Sequence, residues 1–358
     1  MAVVADGFWP AKLGRDALTI EWDEGPTAAV SSGGITKTFD ALTQQPGPVA
    51  RHEGDAAAAL TSAAKRLDAV YEVPYLAHAT MEPMTCTAHV RPDGCDIWTG
   101  TQWQDGTQGV AAKITGLPAA SIRVHTTLLG GGFGRRFEQD FVAEAVAIAK
   151  AVGAPVKLVW SREDDMQHDF YRPSTFNRLS AGIDAQGSLV AWTHRIISPS
   201  IAARAFPALI KDGIDGTSIE GAANIPYTIP NIHVECTMKE TGVPVGFWRS
   251  VGSSQNAFIT ECFLDEIAAA AGKDPYELRR YWSWPRSRRA GDGRSRRAAI
   301  AASPSPSRSE AGLPRLPKSR SAPPARFASI ESSARWTVGS SSIPIPSKPR
   351  WRAVSSTA

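Results

Sequence analysis

Three stretches of the chain hold residue types at spacings that could do chemistry. The first is Gly130-Gly131-Gly132-Phe133-Gly134-Arg135-Arg136. Consecutive glycines let backbone N–H groups approach a ligand closely, and a helix start beyond them adds favourable potential for an anion, so the run predicts a phosphate or oxo-anion cradle. It is not the dinucleotide GxGxxG, since no acidic residue stands roughly 20 positions onward in a βαβ unit. The second stretch carries His78, Glu82 and Cys86 at i, i+4 and i+8, which on one helix face would mimic metal ligands. Pro83 and the β-branched neighbours oppose a helix there, so no side chain is assigned to a metal. The third runs over 244–256 and sets Arg249 in a loop of Gly, Ser and aromatic residues before a helix. A guanidinium so placed can donate planar, bidentate hydrogen bonds to a carbonyl or an oxyanion.

The elements that must position these residues follow from periodicity. An apparent strand over 122–129 leads into the glycine run, and a helix begins near Glu138. On it Phe141, Val142, Ala145, Val146, Ile148, Ala149 and Val152 form an apolar stripe, stopped by Gly153, and Pro155 opens the strand PVKLVW. Otherwise residues 70–197 read as strands broken by turns, including a pair at 177–182 and 188–197 joined by 184–187. A second helix is expected over 254–271, capped by Ser253 or Ser254 and stopped by Gly272. Nearer the N-terminus, strands at 2–5 and 18–22 flank a helix over 10–16. Residues 25–55, rich in Gly, Ser, Thr and Pro, read as a long loop or linker, and 56–69 as a helix. The class is mixed α and β.

The 358 residues suffice for two or three domains, and 42% hydrophobic with 21% charged residues is an ordinary globular composition. No apolar run approaches the roughly 18 to 20 residues of a membrane-spanning helix, so no membrane partner is expected. Cys86, Cys95, Cys236 and Cys262 lack CxxC spacing and are expected as buried free thiols. The net charge of +4 joins two unlike parts: −8 over residues 1–282 and +12 over 283–358. The second part holds 18 Ser, 13 Arg and 10 Pro without periodicity, a composition that predicts disorder. Trp282, Trp284, Trp336 and Trp351 are foreign to a natural polar linker, and Arg, Ser, Pro and Ala are what GC-rich coding sequence yields out of frame. The expectation is a frameshift between codons 280 and 290; the alternative is a basic nucleic-acid-binding arm. Met1 is followed by no signal peptide, so the chain by itself is expected in the cytoplasm.

Together the motifs AHATMEPMTCTAHV, WTGTQ, LLGGGFGRRFEQDF, WSREDDMQHDFYRP and GFWRSVGSSQNAF resemble the molybdopterin-binding large subunit of the xanthine dehydrogenase and aldehyde oxidase family, over about residues 2–280. GGGFGRR and QHDFYRP are closest to the isoquinoline 1-oxidoreductase beta-subunit branch. The resemblance implies an α+β architecture: a partial hammerhead-like domain over 1–45, a linker at 46–64, a first molybdopterin-binding domain over 65–280 and the tail at 281–358. It implies a molybdenum hydroxylase that inserts a water-derived oxygen into an aldehyde or an N-heteroaromatic ring and passes electrons to an iron–sulfur small subunit with [2Fe–2S] clusters. The cofactor is molybdopterin, in some members its cytosine dinucleotide, and the metal takes no protein ligand. By the same resemblance Gln102 hydrogen-bonds an oxygen on molybdenum, and Gly131, Gly132, Phe133, Gly134 and Arg135 border the cofactor. Arg249 stabilises negative charge developing on the substrate.

Two departures accompany this reading. Where the xanthine branch has a substrate-facing Glu, this chain has Phe137, which argues against purine recognition. No Gly-Gln-Gly loop or late general-base Glu follows Arg280. The expectation is therefore a fragment, inactive alone, of a family whose intact members include exported proteins.

Overall fold

The computed structural model describes residues 2–23, 25–282 and 351–353. Helix α1 (Phe8–Asp16) falls outside the compact unit that holds residues 18–282. Strand β1 (Ile20–Trp22) pairs antiparallel with Trp351–Ala353. Residues 2–5, expected as a strand, form none: AVVA has the propensity, but no strand among the described residues pairs with it. The expected disorder and frameshift of the tail otherwise lie outside the described residues.

Residues 25–55 are not the loop that their composition predicts. Helix α2 (Ser32–Leu42) starts on Ser31, whose hydroxyl accepts the Gly34 N–H at 3.2 Å. Its Ile35, Phe39 and Leu42 share one face, and Phe39 is buried against Phe176 and Ile197. The stretch 46–64, expected as a linker, holds strand β2 (Val49–Glu53) and helix α3 (Ala56–Ser62), capped by Asp55. The helix expected to reach residue 69 ends early because strand β3 (Lys65–Val73) pairs residue by residue with β8 (Thr175–Ile183). Nine paired positions outweigh the modest helix propensity of Lys, Arg, Leu and Ala.

Besides the two-stranded β1 pairing, the unit contains two larger sheets. β9 (Leu189–Ser198) and β10 (Ile232–Met238) complete the five-stranded sheet β2-β10-β9-β8-β3, in which only β9 and β10 run parallel. Helix α9 (Ser253–Ala270) covers it with Ile259, Phe263, Leu264 and Ile267 against Trp192, Ile196 and Leu179. Ile197, next to Ile196 and so on the opposite face, meets α2. The expected Ser cap of α9 is absent: Gly252 occupies the N-cap position without a side-chain bond.

The second sheet is β6-β5-β4-β7, from β4 (Thr85–Arg91), β5 (Gly94–Thr99), β6 (Ile122–Thr126) and β7 (Val156–Val159). The predicted stripe on α5 (Asp140–Val152) packs Phe141, Val142, Ala145, Val146 and Ala149 on Met84, Cys86, Ala88 and Ile97. Beside it lies α4 (Gln104–Thr115), in a region read as strands. Gly106 and Gly109 weaken its helical signal. Gly106 is needed there because a Cβ would strike the Trp103 indole at 2.5 Å.

Candidate cofactor site

Strand direction explains why distant motifs converge. β5 and β6 are parallel neighbours, with Thr99 opposite Thr126, so both chains leave the sheet at the same edge, one into Gly100–Gln102 and the other into the glycine run. β4 runs antiparallel to β5, which brings its entry, residues 80–84, to that edge. β7 pairs Val159 with Thr85 and exits there too, into helix α6 (Arg162–Gln167) and Asp169. An edge where parallel strands end is a common place for ligands in α/β structures.

Arg136 holds the glycine run open. It is fully buried and donates to the carbonyls of Gly131 (2.8 Å), Gly100 (3.3 Å) and Glu82 (2.9 Å), while pairing with the Glu82 carboxylate at 3.0 Å. Burial alone would raise the Glu82 carboxyl, but the Gly130 N–H at 2.6 Å, the Thr85 hydroxyl and Arg136 hold it below its ordinary range. Neither residue was expected at the cofactor, although Glu82 and Arg136 both lie in the sequence motifs.

Gln102 lies over the loop. Its Oε1 accepts the Gly134 N–H at 3.1 Å, and a Cβ on Gly132 would meet that oxygen at 2.5 Å. With the oxygen so used, the amide nitrogen is left as a donor, and no acceptor among the described residues takes it. The backbone N–H groups of Gly131, Gly132 and Phe133 likewise have no acceptor among the described residues. Gly131 and Gly134 have φ of 101° and 106°, and Phe133 is held at 54°, a conformation costly for a side-chain-bearing residue. A row of backbone donors beside one amide donor fits an anionic, oxygen-bearing cofactor.

Arg135 turns the opposite way from the loop surface. Expected at the cofactor, it points away into the core, with no exposure and two bonds of 2.9 Å to Asp140. Its Nε lies 3.2 Å from Asp169, its guanidinium stands 5.3 to 5.9 Å from the ring centres of Trp160, Phe170 and Phe141, and its backbone N–H bonds Gly132 O. Burial opposes its charge, but Asp140, Asp169 and Asp165 more than compensate and raise its pKa. Next to it, burial pushes the Asp165 carboxyl up.

His78, Glu82 and Cys86 do not converge. His78 Nδ1 lies 2.9 Å from Asp169 and Nε2 2.9 Å from the Phe247 carbonyl, whereas Cys86 is buried in β4 with its thiol pushed up to about 12. Among the described residues no group of three or more His, Cys, Asp or Glu could hold a metal ion. All four cysteines are free thiols, three of them buried and Cys262 half-buried.

Phe247 joins the third motif to the first, because a Cβ on Gly134 would overlap its carbonyl oxygen. Arg249, two residues on, is exposed and has no ionic partner among the described residues. Phe137 stacks on Trp103, with centroids 4.6 Å apart, and meets Phe247 and Phe206 edge-on. These rings adjoin a cavity of about 240 Å³ lined by Trp103, Phe137, Glu138, Gln139, Arg204, Ala205 and Phe206. Burial raises the Glu138 carboxyl against the opposing pull of Arg204, its ion-pair partner.

The family model described as the molybdopterin cofactor-binding domain matches residues 42–282. The chain belongs to this family. The match begins before the expected boundary at residue 65. Within the molybdopterin-binding xanthine dehydrogenase family, the beta subunit of isoquinoline 1-oxidoreductase from Brevundimonas diminuta is 28% identical over 299 residues, covering 78% of this chain and 37% of that protein. The molybdenum-binding subunit of aldehyde oxidoreductase from Escherichia coli K12 is 29% identical over 232 residues, covering 64% and 30%. Among solved structures, quinoline 2-oxidoreductase from Pseudomonas putida 86 has a TM-score of 0.61 at 21% identity, covering 77% of this chain and 36% of that one. Aldehyde oxidoreductase from Desulfovibrio gigas has a TM-score of 0.55 at 23% identity, covering 67% and 26%. The chain thus shares their fold and spans between about a quarter and two fifths of the length of these relatives. Among its described residues no helix is long and apolar enough to cross a membrane.

Proposed function

We propose that the chain supplies a cofactor-binding portion of a molybdenum hydroxylase large subunit, acting on an aldehyde or an N-heteroaromatic ring and paired with a [2Fe–2S] subunit. The observation that carries this reading is the row of unclaimed N–H groups on Gly131, Gly132 and Phe133 beneath the Gln102 amide. When bound, the molybdenum cofactor, as molybdopterin or its cytosine dinucleotide, supplies oxidation of carbon with oxygen from water. The glycine backbone holds the anionic group, Gln102 donates to one of its oxygens, and Arg136 with Glu82 keeps the loop in its binding shape. Arg249, exposed on the adjoining loop, presents a cation to charge that develops on a substrate oxygen or nitrogen.

The test is metal analysis of the full chain, purified from a host that makes the cofactor. Wild type should carry molybdenum near one atom per chain, and Gln102→Ala should lose at least about tenfold in retention, the scale of one or two charge-assisted hydrogen bonds. Because Gln102 is exposed, its melting temperature should hardly move. A folded wild-type chain that carries no molybdenum would refute the reading.

A further inference from the structure

His78 stands where three of the motifs meet, and nothing in the proposed chemistry uses it. It is 6% exposed. Its backbone N–H donates to Asp169 Oδ2 at 2.6 Å, and Nδ1 lies 2.9 and 3.0 Å from the two Asp169 oxygens. Nε2 lies 2.9 Å from the Phe247 carbonyl oxygen. A carbonyl only accepts, so the Phe247 contact is a hydrogen bond only when Nε2 carries the hydrogen. Among the charged groups around the ring, Asp169 faces it directly, and Arg135 lies behind Asp169 at 3.2 Å, paired also with Asp140 and Asp165.

The carbonyl that His78 grips is not an incidental one. Phe247 O closes over Gly134, with His78 Nε2 itself 3.3 Å from where a Gly134 Cβ would be. Three residues on, Ser250 and Val251 have φ of 69° and 47°. Positive φ is especially unfavourable for a β-branched residue and persists only where the surroundings enforce it. The Trp248 carbonyl accepts the Val251 N–H at 2.6 Å, and Gly252 packs so closely on Thr217 that a Cβ would overlap its carbonyl, so the loop is held at both ends.

We propose that His78, oriented by Asp169, is a positioning residue that clamps the Phe247 carbonyl onto Gly134 through its Nε2–H and so locks the Arg249 loop to the glycine cradle. The proposal deepens the reading of Arg249 as a substrate-side group and rests on it for its functional meaning. The clamp itself exists without cofactor.

Two variants separate the two ring nitrogens. In His78→Asn the amide can still donate to Asp169 but stops short of Phe247; in His78→Gln it reaches the Nε2 position and can donate to the carbonyl. Trypsin cleavage after Arg249, followed by mass spectrometry on the full chain, reads how often the loop opens. His78→Asn should be cut about tenfold faster than wild type, the effect of losing one buried hydrogen bond on a local opening, and His78→Gln should fall within about threefold of it. Equal cleavage of wild type and His78→Asn, or His78→Gln cut as fast as His78→Asn, would overturn the clamp.

A second measurement needs no variant to fold. In the full-length wild-type chain labelled with 15N-histidine, the long-range proton–nitrogen spectrum should show His78 Nε2 carrying hydrogen. A lone-pair nitrogen at Nε2 would refute the proposal. Neither readout depends on molybdenum, so the metal analysis above can fail while the clamp stands, and the reverse.

Discussion

Replacing Arg135 by alanine should unfold the chain far more readily and do so by a route that a ligand contact would not share. The guanidinium has no exposure and is the shared counter-ion of Asp140, Asp169 and Asp165, at 2.9, 3.2 and 3.9 Å. Removing Arg135 leaves Asp140 without its partner and Asp165 and Asp169 with only Arg162 and the His78 ring beside them, and costs about 3–5 kcal/mol. For a domain of this size each kcal/mol lowers the melting temperature by about 2–4 °C, so the expected fall is roughly 6–20 °C. Arg135→Met refills the space among Phe141, Trp160 and Phe170 but not the charge, and should recover only a minor part. The deficit should also depend on pH with a definite sign. Orphaned carboxylates bind protons more readily in the fold than in the unfolded chain, so the variants' loss should be largest near neutrality and shrink as pH falls toward the carboxylate range. Calorimetric or circular-dichroism melts of wild type and both variants between about pH 4.5 and 7.5 would measure this. Variants that melt within about 2 °C of wild type and lose only bound molybdenum would refute the assignment and return Arg135 to the cofactor.

Two glycine substitutions should move stability in opposite directions. Gly134→Ala puts a Cβ onto the Phe247 carbonyl at a φ of 106° and should cost about 2–4 kcal/mol in urea unfolding, whereas Gly109→Ala, in open space on α4, should gain about 0.5–1 kcal/mol. A neutral Gly134→Ala would mean that the two loops do not touch. His194 is wholly buried on β9, bonds Asn177 at 2.9 Å, and is pushed by burial from 6.5 down to about 3. Because the unfolded chain takes up a proton there that the fold refuses, this stability is complete above pH 6.5 and falls by about 1.4 kcal/mol per unit as pH drops toward 3. Unfolding of wild type and His194→Gln at pH 7 and 5 should show a steeper loss for wild type; equal slopes would refute the buried neutral ring.

Local pattern alone determined the α5 stripe, its Gly153 stop and the β8–β9 pair, because each is set by residues within one or two turns of one another. The ordered motifs also determined the family. What local pattern could not determine was the partner of each polar group. Arg135 and Arg136 are adjacent and chemically identical, yet one enters an acidic pocket formed with Asp169 and the other ties Gly131 to Glu82, 54 residues away. Which way each turns depends on how β4, β6 and β7 share an edge. Likewise the Ser-Gly-rich entry to α2 reads as loop until the buried pocket for Phe39 is formed by Phe176 and Ile197, more than 130 residues further on. His78 reads as a stray metal ligand until folding sets Asp169 on one ring nitrogen and Phe247 on the other. A side chain's reach is a few ångströms, so its chemistry is legible in sequence only when its partners are near in sequence; here most of the site's partners are brought together by strand direction.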